Sequence, residues 1–350
     1  MLLGADDFSR ELAVALQRLG AQVIAAHGVA EIRALIDETH PDFVVSLADA
    51  ISLDALDALA ADHDAIELVP SARSVRITAD REGLRRLAAD QLGLPTAPFW
   101  FVGSVGELKS VAAHAGYPLL VGQSVVAGPE DVEAAWQRAV GSGSGTAHPR
   151  VLAETVVEVE AFVTLLAVRS DGPNGPVIEF CAPIGHRDAD GEVLESWQPQ
   201  KMSAAALDAA KSIAARAVKS LGGRGVFGIE LMINGDEVYF AGVTAGPGDS
   251  AWVTACSQRL SVFELQARAI LGLPVDTVMI SPGAARVVSP GHAPSSEALT
   301  RALSVPESDV QVFGPNGGGV ALATGPDLDT ARDRAQEVAT ALNLPDYAVE

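Results

Sequence analysis

The segment from residue 224 to residue 249, RGVFGIELMINGDEVYFAGVTAGPGD, limits the fold of this chain more than any other. Residues 226–233 are mostly apolar or β-branched, residues 234–236 read Asn-Gly-Asp, and residues 237–243 are again largely apolar. Because a short Asn-Gly turn between two such runs favours antiparallel pairing, the segment predicts a β-hairpin. The first strand contains one acid, Glu230, and an ionised carboxylate in an apolar strand is costly unless it is paired. Glu230 is therefore expected to be either a ligand or a member of an ion pair.

The predicted hairpin carries only half of a common type of magnesium site. Nucleotide-dependent ligases often hold Mg²⁺ on two carboxylates from adjacent strands, because Mg²⁺ that bridges phosphates needs one or two protein carboxylates plus water. The central run of the second strand, residues 238–243, reads VYFAGV and contains no acid. One expected metal ligand is therefore missing from the hairpin.

The charge of the chain restricts its partners. Its 350 residues include 24 Lys and Arg against 45 Asp and Glu, which gives a formal net charge of −21. This excess of negative charge argues against nucleic-acid and anionic-membrane partners. Any phosphate site must use backbone N–H groups, arginines or the four lysines, which are Lys109, Lys201, Lys211 and Lys219.

The N-terminal segment and the cysteines indicate a cytoplasmic protein. The segment MLLGADDF has acids where a signal peptide needs cations, and the chain has no apolar run of about 18 residues that predicts a membrane span. Its two cysteines, Cys181 and Cys256, offer no disulfide framework, which fits a reducing compartment.

Strands and helices alternate at the start of the chain. This alternation predicts a Rossmann-like α/β domain over residues 1–75. The turn after the first strand reads GADDFS, and its two acids suit a helix N-terminus but repel a phosphate. The turn therefore fails as a dinucleotide-binding fingerprint.

The rest of the chain predicts an α+β region followed by a small α/β region. A helix is expected over residues 80–92, and antiparallel strands include residues 161–168 and 177–184. A long amphipathic helix is expected between a Ser203 cap and Leu221, because Gly222 and Gly223 follow it. Residues 276–350 predict a smaller α/β piece.

Four motifs carry a resemblance to a known family: DREGLRRLA at 80–88, FCAPIGHR at 180–187, ESWQPQ at 195–200 and FGIEL at 227–231. They resemble formate-dependent glycinamide ribonucleotide (phosphoribosylglycinamide) transformylase, and the resemblance covers essentially the whole chain. That family makes formyl phosphate from ATP and formate and transfers the formyl group to a purine precursor. The resemblance implies a Rossmann-like domain, an ATP-grasp domain over residues 76–275 and a C-terminal domain, usually assembled as a homodimer.

The resemblance assigns nucleotide and metal roles to a few residues of this chain. Arg81 matches a residue that faces a phosphate, and Glu154 and Val157 match the nucleotide-binding linker. Glu230 matches the first Mg²⁺ carboxylate of the family, whereas the second aligns with Gly242. The implied cofactors are therefore ATP and Mg²⁺, with half of the metal site lost.

The resemblance also assigns weak substrate positions. Asp7, Phe8, Asp49 and Asp249 match residues that contact the formyl acceptor. Asp7 and Asp49 are shortened acids where the family has glutamates. In a chain this acidic, surface acids are the competing interpretation of both residues.

Several family features are absent from this sequence. Gly122 and Gln123 replace a Lys-Pro pair, and the phosphate-covering loop that follows is essentially deleted. The ribose-binding glutamate aligns with Phe162, and the basic C-terminal loop is shortened to residues 314–318 without Lys or Arg. Loss of one charge-assisted contact commonly costs about 2–3 kcal/mol. Together these losses predict that ATP and Mg²⁺ bind weakly or not at all.

The sequence therefore predicts a degenerate family member that does not catalyse the ATP- and formate-dependent reaction. Such a protein would act as a binding, regulatory or partner subunit. The alternative is an active enzyme with an altered site, in which Arg81, Glu230, Asp249 and backbone amides replace the missing groups. A third interpretation is a subunit that pairs with an intact paralogue.

Two further interpretations concern residues near the hairpin. Glu230 is read as a buried acid paired with an arginine, either Arg224 or Arg81. His186 and Arg187 are read as residues that brace the core or a dimer face.

Overall fold

The N-terminal part of the chain forms a parallel sheet with helices between its strands. The structure, a computed structural model, describes residues 1–4, 6–26, 29–46, 52–62, 66–141, 150–172, 175–189, 192–288, 293–314 and 318–343. The first elements are β1 (Leu2–Leu3), α1 (Asp7–Arg18), β2 (Ala25–Ala26), α2 (Val29–Thr39), β3 (Phe43–Ser46), α3 (Leu53–Asp62) and β4 (Glu67–Val69). The four strands lie in the order β2-β1-β3-β4, and all neighbours are parallel, which confirms the Rossmann-like prediction.

Local sequence explains how α1 begins and which face it buries. The Asp6 side chain accepts a hydrogen bond from Ser9 N at 2.7 Å, so it caps the first turn. Leu12, Ala15 and Leu16 recur at helical spacing and are buried on one face.

A second part of the chain combines helices with a small antiparallel sheet. Its elements are α4 (Ala72–Ala79), α5 (Arg81–Arg86), a π-helical turn (Leu87–Gln91), β5 (Phe99–Val102), α6 (Val105–Ala115), β6 (Leu119–Val121), β7 (Ser124–Val126), a 3₁₀ turn (Pro129–Asp131), α7 (Val132–Gly141) and β8 (Val151–Thr155). The strands lie in the order β5-β8-β6-β7. The helix predicted over residues 80–92 is divided, because α5 ends at Arg86 and the next turn widens into a π-helix.

A large sheet occupies the rest of the molecule. Its elements are β9 (Ala161–Gly172), β10 (Gly175–Phe180), β11 (Ile184–Ala189), β12 (Glu192–Gln198), α8 (Ala204–Leu221), β13 (Gly225–Asn234), β14 (Glu237–Thr244), a 3₁₀ turn (Asp249–Val253), α9 (Thr254–Ser257), α10 (Val262–Ile270), β15 (Gly283–Val288), α11 (Ser296–Ala302), β16 (Ser308–Phe313), β17 (Gly318–Thr324) and α12 (Leu328–Asn343). The order is β14-β13-β9-β11-β12-β15-β17-β16, and β10 also pairs with β9. The single strand predicted over residues 177–184 is instead two strands, separated by residues 181–183.

The large sheet crosses a predicted domain boundary. The boundary predicted between residues 275 and 276 falls between α10 and β15. However, β12 and β15 are antiparallel neighbours, and Trp197 pairs with Ala284 in their register. The strands on both sides of the boundary therefore belong to one hydrogen-bonded sheet.

The two faces of the sheet pack against different helices. Val163 and Leu165 on β9 and Ile229 on β13 pack with α8. Alternate residues of the same strands, such as Leu166 and Val226, pack with α10. Side chains alternate between faces along a strand, so Glu230 points away from α8. In the described part of the chain, no helix has the length and apolar character that a membrane span requires.

Candidate functional site

The predicted hairpin is present, and its register places Glu230 opposite Gly242. Strands β13 and β14 are antiparallel and turn at Gly235, whose φ of 57° is left-handed. Glu230 pairs with Gly242 and Leu231 pairs with Phe240, so β14 has one extra residue in a bulge at this point. A Cβ added at Gly242 would meet nothing within 4 Å. The strand position opposite Glu230 is therefore open space rather than a second carboxylate.

Glu230 lies in a network of polar side chains. The Thr164 hydroxyl oxygen is 3.1 Å from each carboxylate oxygen of Glu230, and His186 Nε2 is 3.1 Å from Oε2. Thr164 donates its single proton to Glu230, which leaves Ser250, 2.8 Å away, as the donor to Thr164. Thr164 and Ser250 are buried, whereas the Glu230 side chain is 33% exposed. The Glu230 carboxylate is thus hydrogen-bonded by Thr164 and His186 and remains partly exposed to solvent.

The partner expected for Glu230 was wrong. Arg224 pairs with Glu67 at 2.6 Å and with Asp171 at 3.0 Å. No arginine of the described segments, Arg81 included, forms an ion pair with Glu230. Its charged neighbour is His186, which the sequence placed on a structural strand without linking it to the hairpin.

His186 lies between two carboxylates. Its Nδ1 is 2.8 Å from Asp188 Oδ1, while Nε2 faces Glu230. Burial acts to lower the pKa of His186, but the hydrogen bonds and charges of Glu230 and Asp188 outweigh burial, and its pKa is raised. Two carboxylate acceptors favour a ring that is protonated on both nitrogens. The raised pKa and the two carboxylate contacts therefore favour the protonated ring beside Glu230.

Stability is expected to fall as the pH rises through the folded-state pKa of His186. The folded pKa lies above the ordinary value of 6.5, so the protonated ring stabilises the folded state fully below that value. The contribution is lost when the ring deprotonates at higher pH. Urea unfolding across a pH series from below 6.5 upward measures this slope. His186→Asn should flatten it, and a slope unchanged in that variant contradicts the prediction.

A matched control is available on an exposed helix. His114 lies exposed on α6. His114→Asn removes one imidazole from the surface and should leave the pH dependence of the free energy of unfolding as it is in the parent protein.

Glu154, assigned to the nucleotide-binding linker, forms a buried ion pair with Arg85. Arg85 Nη2 donates to Glu154 Oε1, and Arg85 Nη1 donates to the Phe240 carbonyl at 3.0 Å. Burial lowers the pKa of Arg85, and the charge of Arg81 adds to this, although Glu154 opposes it. Arg85 connects α5, β8 of the small sheet and β14 of the large sheet. The sequence contains Arg85 within the DREGLRRLA motif but gives no local signal for this contact.

The other nucleotide positions lie on different elements of the chain. Arg81 is exposed at the start of α5, and Val157 is half-buried between β8 and β9. The Phe162 side chain is 47% exposed, with its ring centroid 6.3 Å from that of His186. The wall beside Glu230 is therefore aromatic at the position where the resemblance implies a ribose-binding acid.

The substrate positions are partly engaged in packing. Asp7 forms an ion pair with Arg10 within α1. Phe8 stacks against Trp252, with ring centroids 4.8 Å apart. Asp249 begins the 3₁₀ turn over residues 249–253. Asp49 lies outside the described residues.

The donor set at Glu230 does not fit the two-carboxylate Mg²⁺ site that the resemblance implies. Gly242 supplies no ligand, and Oε2 of Glu230 is already engaged by His186 Nε2 at 3.1 Å. Within the described ranges, no group of three or more His, Cys, Asp or Glu side chains is arranged to hold a metal ion. A Mg²⁺-dependent step through Glu230 and Gly242 therefore has no structural basis in this chain.

Comparison with known proteins defines the family. A model of the ATP-grasp domain matches residues 87–263. A formate-dependent phosphoribosylglycinamide formyltransferase from Mycolicibacterium gilvum is 43% identical over 380 residues, which cover 97% of this chain and 94% of that protein. The corresponding protein of Paraburkholderia xenovorans is 42% identical, with coverage of 98% and 94%.

Solved structures agree with this relationship. The structure of glycinamide-RNase-transformylase T from Mycobacterium tuberculosis is 63% identical, with a TM-score of 0.85 and coverage of 98% of this chain and 99% of that one. Carboxyaminoimidazole ribonucleotide synthase from Aspergillus clavatus, solved with ATP, shares the fold at 20% identity, with a TM-score of 0.82 and coverage of 98% and 97%. Because its relatives match it over nearly the whole chain and the ATP-grasp model matches residues 87–263, this chain belongs to the formate-dependent phosphoribosylglycinamide formyltransferase family of ATP-grasp proteins.

Proposed function

We propose that this chain is a degenerate family member that uses its ATP-grasp cleft to bind a ligand less charged than Mg²⁺-ATP and does not transfer formyl groups. The observation that carries the proposal is the strand register, in which Gly242 stands opposite Glu230. A bound triphosphate needs its charge offset by metal ions and cations, so the loss of a metal carboxylate weakens both binding and catalysis.

The positions of the lysines support the same proposal. Lys211 and Lys219 lie on α8, which packs on one face of the large sheet, whereas the Glu230 side chain lies on the opposite face. Lys109 pairs with Glu133 at 3.3 Å, and Lys201 is exposed after β12. All four lysines are described, and none contacts Glu230. A triphosphate beside Glu230 would therefore have no lysine from this part of the chain to neutralise it.

The competing function is an active ATP-dependent formyltransferase with an altered site. Identity of 43% over nearly the whole chain to a formate-dependent formyltransferase favours it. A binding or regulatory role, a homodimer and pairing with a paralogous subunit stay predictions from the resemblance.

Calorimetry and a turnover assay separate the two functions. Mg²⁺-ATP is titrated into the protein, and ADP release is followed with ATP, formate and glycinamide ribonucleotide present. The proposal expects no saturable Mg²⁺-dependent binding at micromolar ATP and no formate-dependent ADP release. Binding of Mg²⁺-ATP at micromolar concentration together with formate-dependent ADP release would contradict the proposal.

Gly242→Glu is expected to create Mg²⁺-dependent ATP binding. The added side chain enters open space opposite Glu230 and would complete a two-carboxylate pair. Calorimetry should show that Mg²⁺ raises ATP affinity about tenfold or more in this variant, the scale of one charge-assisted contact. Gly242→Gln, which has the same shape without the charge, is the control. An equal response of both variants to Mg²⁺ would contradict the role assigned to this position.

A further inference from the structure

A cluster of three arginines surrounds the buried carboxylate of Glu195. Arg332 binds it in a bidentate manner, with Nε 2.9 Å from Oε1 and Nη2 3.1 Å from Oε2. Arg187 Nη2 donates to Oε2 at 3.2 Å. Arg286 Nη1 lies 3.7 Å from Oε2, beyond hydrogen-bonding distance. The three guanidinium groups thus converge on one carboxylate.

The strand register places this cluster on the face of the sheet that Glu230 does not occupy. Arg187 pairs with Glu195 across β11 and β12, and Glu195 pairs with Arg286 across β12 and β15. His186, the neighbour of Arg187 along β11, points to the opposite face toward Glu230. Helix α12 supplies Arg332 above the strands. The cluster is therefore separate from the candidate site in the hairpin.

One carboxylate does not satisfy the three guanidinium groups. Arg332 and Arg187 already occupy both oxygens of Glu195. In the described part of the chain, the Arg286 guanidinium makes no hydrogen bond, although its side chain is only 18% exposed. A guanidinium carries five N–H donors, and those of Arg286 keep some access to solvent because the side chain is 18% exposed. The donors of Arg286 are therefore available to an anion that reaches the cluster from solvent.

Access and rigidity also suit a ligand at this position. The Arg187 side chain is 55% exposed, so the cluster is open to solvent on one side. The Arg332 guanidinium lies 4.3 Å from the centroid of the Trp197 ring and is fixed by its bidentate contact. Asp329 and Asp333 act on Arg332 from α12, and both are exposed. Neither aspartate forms an ion pair with Arg286, whose charged neighbour is Glu195 at 3.7 Å.

We propose that Arg187, Arg286 and Arg332 form a binding site for a small oxyanion, either a phosphate or a carboxylate group. Planar guanidinium groups match the paired oxygens of both, and the anion would accept from the donors of Arg286 and Arg187 that Glu195 leaves unused. The overall charge of −21 disfavours non-specific anion binding, so saturable binding would indicate a specific site, which the substitutions below locate.

Titration of the full-length protein with simple anions tests the proposal. The probes are inorganic phosphate, the phosphomonoester glycerol 2-phosphate and acetate, each added at constant ionic strength with chloride as the balance. Calorimetry measures binding, and the thermal unfolding midpoint measures stabilisation. Saturable binding of phosphate and the monoester identifies a phosphoryl ligand, whereas binding of acetate alone identifies a carboxylate.

Two substitutions should shift the anion affinity in opposite directions. Arg286→Gln removes the guanidinium that makes no hydrogen bond to Glu195 and should weaken binding about tenfold or more. Glu195→Gln removes the competing negative charge and should strengthen binding several-fold, and the anion should raise the thermal midpoint of that variant more than that of the parent protein. Arg73→Gln, at an exposed position on α4, removes the same charge elsewhere and should leave affinity unchanged.

A purely structural cluster gives a different pattern. It would show no saturable binding of any of the three anions at millimolar concentration, and that result overturns the proposal. Binding that survives Arg286→Gln at parental affinity also overturns it, since the anion would then sit elsewhere. Neither result depends on the pairing of Glu230 with Gly242. Failure of the anion-site proposal therefore does not affect the proposed function, which the Mg²⁺-ATP titration and the ADP-release assay test separately.

Discussion

Arg85→Met is expected to lower the free energy of unfolding by about 3–5 kcal/mol, because it leaves Glu154 as an unpaired buried charge. The Arg85 and Glu154 side chains are only 9% and 11% exposed. The substitution also removes the hydrogen bond to the Phe240 carbonyl. Methionine keeps much of the length of arginine, so the effect reports lost polar contacts rather than a large cavity. Urea unfolding followed by circular dichroism measures the change.

The neighbouring Arg86 provides a matched control for Arg85→Met. Arg86 pairs with Glu82 on the surface, and its side chain is 60% exposed. Arg86→Met should therefore cost no more than about 1 kcal/mol. The double variant Arg85→Met/Glu154→Leu removes both buried charges and should recover most of the loss. Equal costs for the two arginines would contradict the role of Arg85 as the connection between the two sheets.

Trp252→Ala should also destabilise the protein by about 3–5 kcal/mol, the range for truncating a buried aromatic side chain. Trp252 is 3% exposed and lies in an aromatic cluster. Its ring centroid is 4.8 Å from that of Phe8 on α1, and 4.9 Å from those of Phe263 on α10 and Phe313 on β16. These partners belong to N-terminal, central and C-terminal segments. Removing Trp252 therefore weakens the packing of all three segments together.

Phe162→Ala is the control for Trp252→Ala. Phe162 is 47% exposed, so its removal should change the free energy of unfolding by less than about 1 kcal/mol. Chemical denaturation of both variants under one set of conditions gives the comparison. A small effect of Trp252→Ala would mean that the aromatic cluster does not hold the three segments together.

The local sequence pattern was sufficient to predict the β13–β14 hairpin and α8. The Asn-Gly-Asp turn and the flanking apolar runs predicted β13 and β14, and the structure contains both. Ser203 caps α8 and Gly222 follows it with a left-handed φ of 77°, as the sequence predicted. These features depend on residues that are neighbours in the chain, so a single sequence reveals them.

The contacts that define the site depend on residues far apart in the chain. His186 and Glu230 come from β11 and β13, which are separated in the sheet by β9. Nothing in either local segment indicates that their side chains meet, and this is why the predicted arginine partner of Glu230 was wrong. The contact of Arg85 with Glu154 escaped prediction for the same reason.

The pairing of β12 with β15 has a consequence for how the chain acquires its structure. Between these two strands the chain also makes α8, the β13–β14 hairpin and α10, so β12 leaves the ribosome well before its partner. Until β15 arrives, one edge of β12 has unsatisfied N–H and C=O groups, which can pair with strands of other molecules. Closing so long a loop is entropically unfavourable, which slows this step of folding. We therefore expect the nascent chain to be most prone to aggregation before β15 is made, and chaperones to raise the yield of native molecules at that stage.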